Sequence, residues 1–446
     1  MLRRLATRIL APDLTVTGLH VKLQPNGSVK PLDSDKVMAK IRHLLIVCLA
    51  GLALYTAFEP TPENIEIPWR LKILTQIFKM HCRLAPLESY FATFIPDGVR
   101  AWFVAVINDV HRSLGPNVTF TDTTFGGVPV RVFADKQDSK EAGKRPAIVF
   151  IHGGGWTLGS VDLFHPLTAE IASGLDAVVV SVEYRVAPQH VFPIAINDCT
   201  AATVGFLQHL EDFNVDPTRV AIMGDSAGGN LAAAVAQRLT FMPQYKDLPK
   251  LRMQVLIYPC LQAFDFQTPS YQQNGEHFTV ILDRMRMAEF WAMYLGNRNP
   301  LKTPMSANQH TTAEAKGSPL IRKCLSHDLI PDEFKQTGYV TPSTDFGNEE
   351  IYDEIREVLL DPDYAPLMRE DLRGLPEAYI LTAGYDVLRD DGIMYAKRLE
   401  KAGVPVTWKH YKNGFHSMFN PTNGVFASPS ADQALEDFIK FTKKRL

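Results

Sequence analysis

Val220-Ala221-Ile222-Met223-Gly224-Asp225-Ser226-Ala227-Gly228-Gly229-Asn230 carries an apolar, strand-like run through G-x-S-x-G into an alanine-rich helical stretch. A serine on so sharp a strand-to-helix turn needs strained backbone angles, and side chains on either side of it would strike the adjoining strand and helix, which glycine avoids. A helix that starts right after the serine also presents unpaired N–H groups and a positive partial charge near its hydroxyl. The pattern predicts a nucleophile at Ser226.

A hydroxyl is a weak nucleophile, so it requires a base, a group that orients the base, and donors for a developing oxyanion. His416 lies in Gly414-Phe415-His416-Ser417, just after the last strand-like run, and Asp386 lies in Gly384-Tyr385-Asp386-Val387-Leu388, at the end of the preceding one. Nucleophile, acid and base follow one another 160 and 30 positions apart, in the order such an elbow requires. Asp390 and Asp391 precede Gly392-Ile393-Met394 and are expected to cap that helix instead. Neither His410, inside a strand-like run, nor His152 is expected to be the base. His152-Gly153-Gly154-Gly155-Trp156 follows the run 147–151, and its three glycines let backbone amides face a substrate. Gly153, Gly154 and Ala227 are the expected oxyanion donors. A Walker-type phosphate loop would end in G-K-S/T, and this one does not.

β-rich runs at 128–133, 147–151, 177–182, 220–223, 253–258, 378–383 and 406–411 alternate with helical patterns near 195–211, 226–240, 390–402 and 430–445. Near-continuous apolar strands alternating with helices imply an α/β fold with a mostly parallel sheet covered on both faces. The gap between the fifth and sixth of these runs is too long for a simple connection, and its polar middle, about 300–350, is expected to run over the surface. Residues 59–115 carry a helical pattern, Trp69, Ile73, Leu74, Ile77, Met80, Leu84 and Leu87, which is read as a helical cap or linker. The expected organisation is a segment 1–43, an anchor 44–58, the helical 59–115, and a catalytic domain 116–446 with an insertion at about 264–372.

H-G-G-G-W at 152–156, Glu183-Tyr184-Arg185-Val186-Ala187-Pro188 with Phe192-Pro193, G-D-S-A-G-G-N at 224–230 and Tyr385-Asp386-Val387-Leu388-Arg389-Asp390-Asp391-Gly392 together resemble the hormone-sensitive-lipase branch of the α/β-hydrolases. Within that branch the chain is similar to the group of arylacetamide deacetylases and neutral cholesterol ester hydrolases, over about residues 60–446. The resemblance implies an α/β-hydrolase fold, and no cofactor or metal is expected because the oxyanion loop and the serine, histidine and aspartate complete the electrostatics. It also implies an esterase acting through an acyl-enzyme on small apolar esters or amides, with Ser226 as nucleophile, His416 as base then acid, and Asp386 as its orienter. Arg185, Tyr184 and Asp198 are expected to support the architecture. Two alternatives stand beside it: a hydrolase of cholesteryl or acylglycerol esters, and a non-catalytic binding protein on the same scaffold.

Composition narrows the field further. The 446 residues carry 46 Lys+Arg against 49 Asp+Glu, a formal charge of −3, so the dense basic face that nucleic-acid binding requires is missing. With 46% hydrophobic residues the chain can fill a large core. Cys48, Cys82, Cys199, Cys260 and Cys324 have no close spacing, which argues against a zinc knuckle or a thioredoxin-like motif.

Leu44 to Phe58 reads LLIVCLAGLALYTAF, fifteen residues without a charge. As a helix at ~1.5 Å per residue it spans roughly 22 Å, short against a hydrocarbon core of ~27–30 Å. Lys30, Lys36, Lys40 and Arg42 precede it while Glu59, Glu63 and Glu66 follow, so the positive-inside rule keeps the N-terminus cytosolic. Tyr55 disfavours cleavage after Ala57, and an uncleaved signal anchor is the reading taken, with a type II topology in the endoplasmic reticulum membrane. A buried core helix and, from the acid-free, Arg-containing residues 1–12, mitochondrial targeting are the alternatives. In the anchored topology Asn117-Val118-Thr119 becomes a lumenal glycosylation acceptor. Lys443-Lys444-Arg445-Leu446 resembles a dilysine signal, but cations closing a helix are the simpler reading.

Overall fold

The computed structural model describes residues 61–76, 78–79, 118–135, 143–276, 281–296, 298–419 and 426–446. The expectations for 1–43, the anchor 44–58, Asn117, Cys48, Cys82 and most of 59–115 fall outside these residues.

Eight strands form one sheet in the order β1-β2-β4-β3-β5-β6-β7-β8. They are β1 Val118–Phe125, β2 Val128–Asp135, β3 Arg145–Ile151, β4 Val178–Val182, β5 Val215–Asp225, β6 Met253–Ile257, β7 Glu377–Tyr385 and β8 Val406–Phe415. β1 and β2 pair antiparallel, β2 meets β4 antiparallel, and every pairing from β4 to β8 is parallel. Alternation along the central strands assigns side chains to two faces. Val149, Ile151, Val180, Ile222 and Ile380 enter one apolar cluster, whereas Phe150, Val179, Met223, Val255 and Leu381 enter the other.

The longer helices are α1 Val161–Leu175, α2 Ile194–Leu207, α3 Ala227–Phe241, α4 Arg284–Gly296, α5 Glu349–Leu359, α6 Arg389–Lys401 and α7 Pro429–Thr442. Residues of α2, α3 and α6 pack into the first cluster, and Phe164 and Ile171 of α1 join Leu435 and Phe438 of α7 in the second. α1 is absent from the sequence pattern read above. Its apolar positions have helical spacing and Ser160 caps it by accepting from Leu163 N–H at 3.2 Å, but the interior Pro166 hides the signal.

Two expectations need correction, and the cations that close the last helix have a further neighbour. The polar middle of the insertion does not only skirt the surface: Met305, Ile321, Cys324, Leu325 and Ile330 are buried in the first cluster, and the exposed stretch is mainly 335–350. On the helix over 68–76, Leu74 is buried whereas Trp69 and Ile73 point outward. The C-terminal tetrapeptide ends in a buried Leu446, whose carbonyl accepts from Arg219 Nε–H, while Arg445 pairs with Glu377 at 3.0 Å.

The β1–β2 hairpin turns through Gly126 and Gly127, both with positive φ (57° and 79°), as a two-residue turn between right-twisted strands demands. A Cβ on Gly126 would come within 2.4 Å of the Ala201 carbonyl oxygen on α2, whereas one on Gly127 meets nothing within 4 Å. Gly127→Ala should therefore cost about 1 kcal/mol for its left-handed backbone. Gly126→Ala should cost ~1–3 kcal/mol more through the collision. Chemical denaturation measures both, and equal losses would contradict the packing of α2 on the turn.

Candidate active site

Strand β5 ends at Asp225, α3 begins at Ala227, and Ser226 between them has φ 54° and ψ −120°. That left-handed backbone is held by Ser226 N–H donating to Ile257 O at 2.9 Å and by Asn230 N–H donating to Ser226 O at 3.1 Å. The flanking glycines are obligatory for steric reasons. A Cβ on Gly224 would lie 2.1 Å from Gly228 O, and one on Gly228 would lie 2.0 Å from Ile151 O. Elbow and oxyanion loop are therefore in backbone contact.

The expected trio comes together. Ser226 Oγ is 3.0 Å from His416 Nε2, and His416 Nδ1 is 2.8 Å from Asp386 Oδ2. All three side chains are buried. Asp386 follows β7 directly, and its second oxygen accepts from Leu388 N–H at 2.8 Å, which fixes the carboxylate plane. His416 sits in the turn after β8, with the Tyr258 ring 4.9 Å away centroid to centroid. A carboxylate can only accept, so it places the imidazole proton on Nδ1 and leaves the Nε2 lone pair facing the serine.

The oxyanion loop corrects one expectation. Gly153 N–H is not available, because it donates to Asp225 Oδ1 at 2.7 Å. Gly154 and Gly155, with φ 121° and 61°, follow it on the same turn, and among the described residues the amides of Gly154, Gly155 and Ala227 donate to no other group. A Cβ on Gly155 would strike the Phe290 ring at 2.4 Å, so the third glycine is as constrained as the first two. Gly155 and Asp225 are the residues that sequence reasoning missed. A run of three glycines does not say which amide is committed elsewhere, and the carboxylate that commits it lies 72 positions away.

The competing groups have other partners. Neither Asp390 nor Asp391 supplies a side-chain cap to α6. Asp390 instead holds Arg389 Nε–H at 2.8 Å and accepts from Ser270 N–H at 2.6 Å. Asp391 accepts from Leu261 N–H and from Gln262 Nε2–H, at 2.8 and 3.0 Å. Burial pushes Asp391 up to about 8 against those bonds. His410 bonds Thr382 Oγ1 at 3.0 Å, and burial pushes it down to about 4. His152 stacks on Tyr184 at 4.3 Å, and the Tyr184 hydroxyl donates to His152 O at 2.9 Å. Arg185 grips Asp198 through its side chain at 2.7 and 2.9 Å and through its backbone N–H at 3.0 Å, an architectural role. Among the described residues no group of three or more His, Cys, Asp or Glu is placed to hold a metal ion.

This sheet, elbow and buried serine–imidazole–carboxylate chain define an α/β-hydrolase, and residues 148–322 and 331–420 match the family described as having the alpha/beta hydrolase fold. The chain belongs to that family. It is 41% identical to arylacetamide deacetylase of Oryctolagus cuniculus over 383 residues, covering 84% of this chain and 93% of that one. It is equally 41% identical to neutral cholesterol ester hydrolase 1 of Mus musculus over 387 residues, covering 84% and 91%. Among solved structures it is similar to the hyperthermophilic esterase of the archaeon Pyrobaculum calidifontis, with TM-score 0.58, 25% identity and coverage of 83% and 97%. A thermostable carboxylesterase from a metagenomic library matches with TM-score 0.56, 26% identity and coverage of 77% and 94%. Within the family the chain is a carboxylic ester hydrolase, and the reading as a non-catalytic scaffold falls away.

Asp225 is expected to act by holding the oxyanion loop to the elbow. Asp225→Ala removes the acceptor of a buried N–H and should lower kcat by roughly 10-fold or more with a small change in KM, since one displaced donor is worth ~10²–10³ at full loss. Asp225→Asn keeps an acceptor and should stay within a few fold of wild type; equal losses in both variants would contradict the role. Burial also pushes the Asp225 carboxyl up to about 7, against the opposing Gly153 bond. The fold thus holds a proton that the unfolded chain releases near pH ~4, so this stability is complete below that value and is lost as pH rises through about 7. Denaturation midpoints from pH 5 to 8 should fall more steeply for wild type than for Asp225→Asn.

Proposed function

We propose that the chain is a membrane-anchored serine hydrolase that cleaves carboxylic esters, and aryl acetamides among amides, through an acyl-enzyme on Ser226. The observation that carries this reading is the continuous bonding from Ser226 Oγ to His416 at 3.0 Å and on to Asp386 at 2.8 Å. Ser226 Oγ attacks the substrate carbonyl carbon while its proton passes to His416 Nε2. Asp386 keeps the imidazole in the competent tautomer and stabilises the imidazolium. The oxyanion is met by the amides of Gly154, Gly155 and Ala227, at the N-terminus of α3. Collapse of the tetrahedral intermediate expels the alcohol or amine with the proton from His416. Water, deprotonated by the same Nε2, then attacks the acyl carbonyl and frees Ser226.

The substrate class rests on the names of the relatives, one a deacetylase of arylacetamides and the other a hydrolase of cholesterol esters. The second of these keeps lipid esters as an alternative reading. Ser226→Ala should lower hydrolysis of a short p-nitrophenyl ester by at least roughly 10⁴-fold, and Asp386→Asn by about 10³–10⁴-fold. Unchanged turnover in Ser226→Ala would overturn the assignment. A panel of short esters, an aryl acetamide and cholesteryl oleate ranks the substrate classes.

The uncharged run 44–58 and the charge asymmetry around it support a type II anchor with the catalytic unit in the endoplasmic reticulum lumen. Among the described residues no helix is long and apolar enough to cross a membrane, and the run itself lies outside them. Lumenal placement exposes Asn117 to glycosylation. Expression in a secretory host should give a band that shifts on glycosidase treatment and does not shift in Asn117→Gln; an unshifted wild-type band would contradict the topology.

A further inference from the structure

The helix over 68–76 is held firmly on one side and left bare on the other. Leu71 and Leu74 are buried in the same cluster as Leu435 and Phe438 of α7. Just ahead of it, Glu66 accepts from both the N–H and the hydroxyl of Ser430, at 2.9 and 2.7 Å, at the start of α7. The opposite face carries Trp69, 59% exposed, and Ile73, 42% exposed, one turn apart. An indole and an aliphatic side chain thus stand exposed together on a helix whose other face is anchored.

The surrounding chemistry selects a lipid surface. From residue 67 to 79 the sequence carries Arg70, Lys72 and Lys79 and no acid, and the Arg70 guanidinium lies over the Trp69 ring at 5.4 Å. Cations beside an exposed indole and an aliphatic ridge are the composition of helices that lie in the membrane interface, where tryptophan is enriched. The uncharged run 44–58 ends eleven residues before Trp69. At ~3.3–3.6 Å per residue, Trp69 stays within roughly 40 Å of the end of that run. A bilayer entered by that run lies within reach, whereas a second copy or a soluble partner has no comparable tether.

We propose that the Trp69–Ile73 ridge docks on the bilayer interface, so that the catalytic unit rests on the membrane instead of hanging free from its anchor. This rests on the membrane reading above. Full-length protein in phosphatidylcholine–phosphatidylserine vesicles containing brominated lipid tests it through tryptophan fluorescence. Trp156 and Trp291 are fully buried, Trp408 is partly buried and Trp102 lies outside the described residues, so the Trp69 component is read as the difference between wild type and Trp69→Phe. Wild type should show a lipid-quenched component that is lost in Trp69→Phe and reduced at least twofold in Ile73→Glu, with labelling of Ser226 by a fluorophosphonate unchanged as the folding control. Identical quenching in wild type and Trp69→Phe overturns the proposal. So does a Trp69 component that is blue-shifted and unquenched, which would mean that another part of the chain or a second copy covers the ridge. Alkaline carbonate extraction of the same vesicles reports the anchor separately. Protein retained in the pellet without Trp69-dependent quenching overturns the docking alone, and protein extracted by carbonate overturns the anchor.

Discussion

The structure is organised around a backbone that cannot be relaxed at Ser226. A non-glycine residue at φ 54° between a strand and a helix is stable only because both neighbours are fixed, β5 by its parallel partners and α3 by burial along most of its length. The two glycines of the elbow are the places where that turn touches the end of β3 and the start of α3, with room for no Cβ at either. The close approach brings the oxyanion loop, the elbow and the helix N-terminus within reach of one another. The proposed nucleophile and the proposed oxyanion donors thus share one packing constraint.

Around the elbow, buried carboxylates do the fastening. Asp225 holds the Gly153 amide, Asp386 holds His416, Asp390 holds Ser270, and Asp391 holds Leu261 and Gln262. Asp225 and Asp386 lie at or just beyond the carboxyl ends of β5 and β7, whereas Asp390 and Asp391 lie in the first turn of α6 and both hold the segment that follows β6. Burying a carboxyl group is costly unless donors meet its oxygens, so these segments are held at positions where their N–H groups do so. Asp386 differs from the others in having an imidazole for a partner, and this marks it as the acid of the trio.

Much of this was legible in the sequence because the signals were local and redundant. The seven strand-like runs all fall on strands, since short runs rich in apolar and β-branched residues and bounded by turn residues have few other uses in a chain of this composition. Ser226, Asp386 and His416 could be assembled because the motif fixed the first and strand ends fixed the others. What stayed hidden depended on contacts across long separations. The commitment of Gly153 to Asp225, the outward turn of Trp69 and Ile73, and the burial of Met305 and Ile321 within a polar stretch are set by tertiary partners that no local pattern encodes. β1 begins at Val118, where strand signal first sets in, but it stands outside the run of β-rich segments because its Thr-rich stretch is mostly exposed.

In the proposed mechanism Ser226 reacts while the amides of Gly154, Gly155 and Ala227, and not that of Gly153, receive the negative charge. A crystal structure of the protein inactivated by an alkyl phosphonate tests both parts together. The expected result is a covalent bond from Ser226 Oγ to phosphorus and the phosphoryl oxygen within hydrogen-bond distance of those three amides, with Gly153 still bound to Asp225. A phosphonate on another residue, or a phosphoryl oxygen held by Gly153 with Asp225 released, would contradict it.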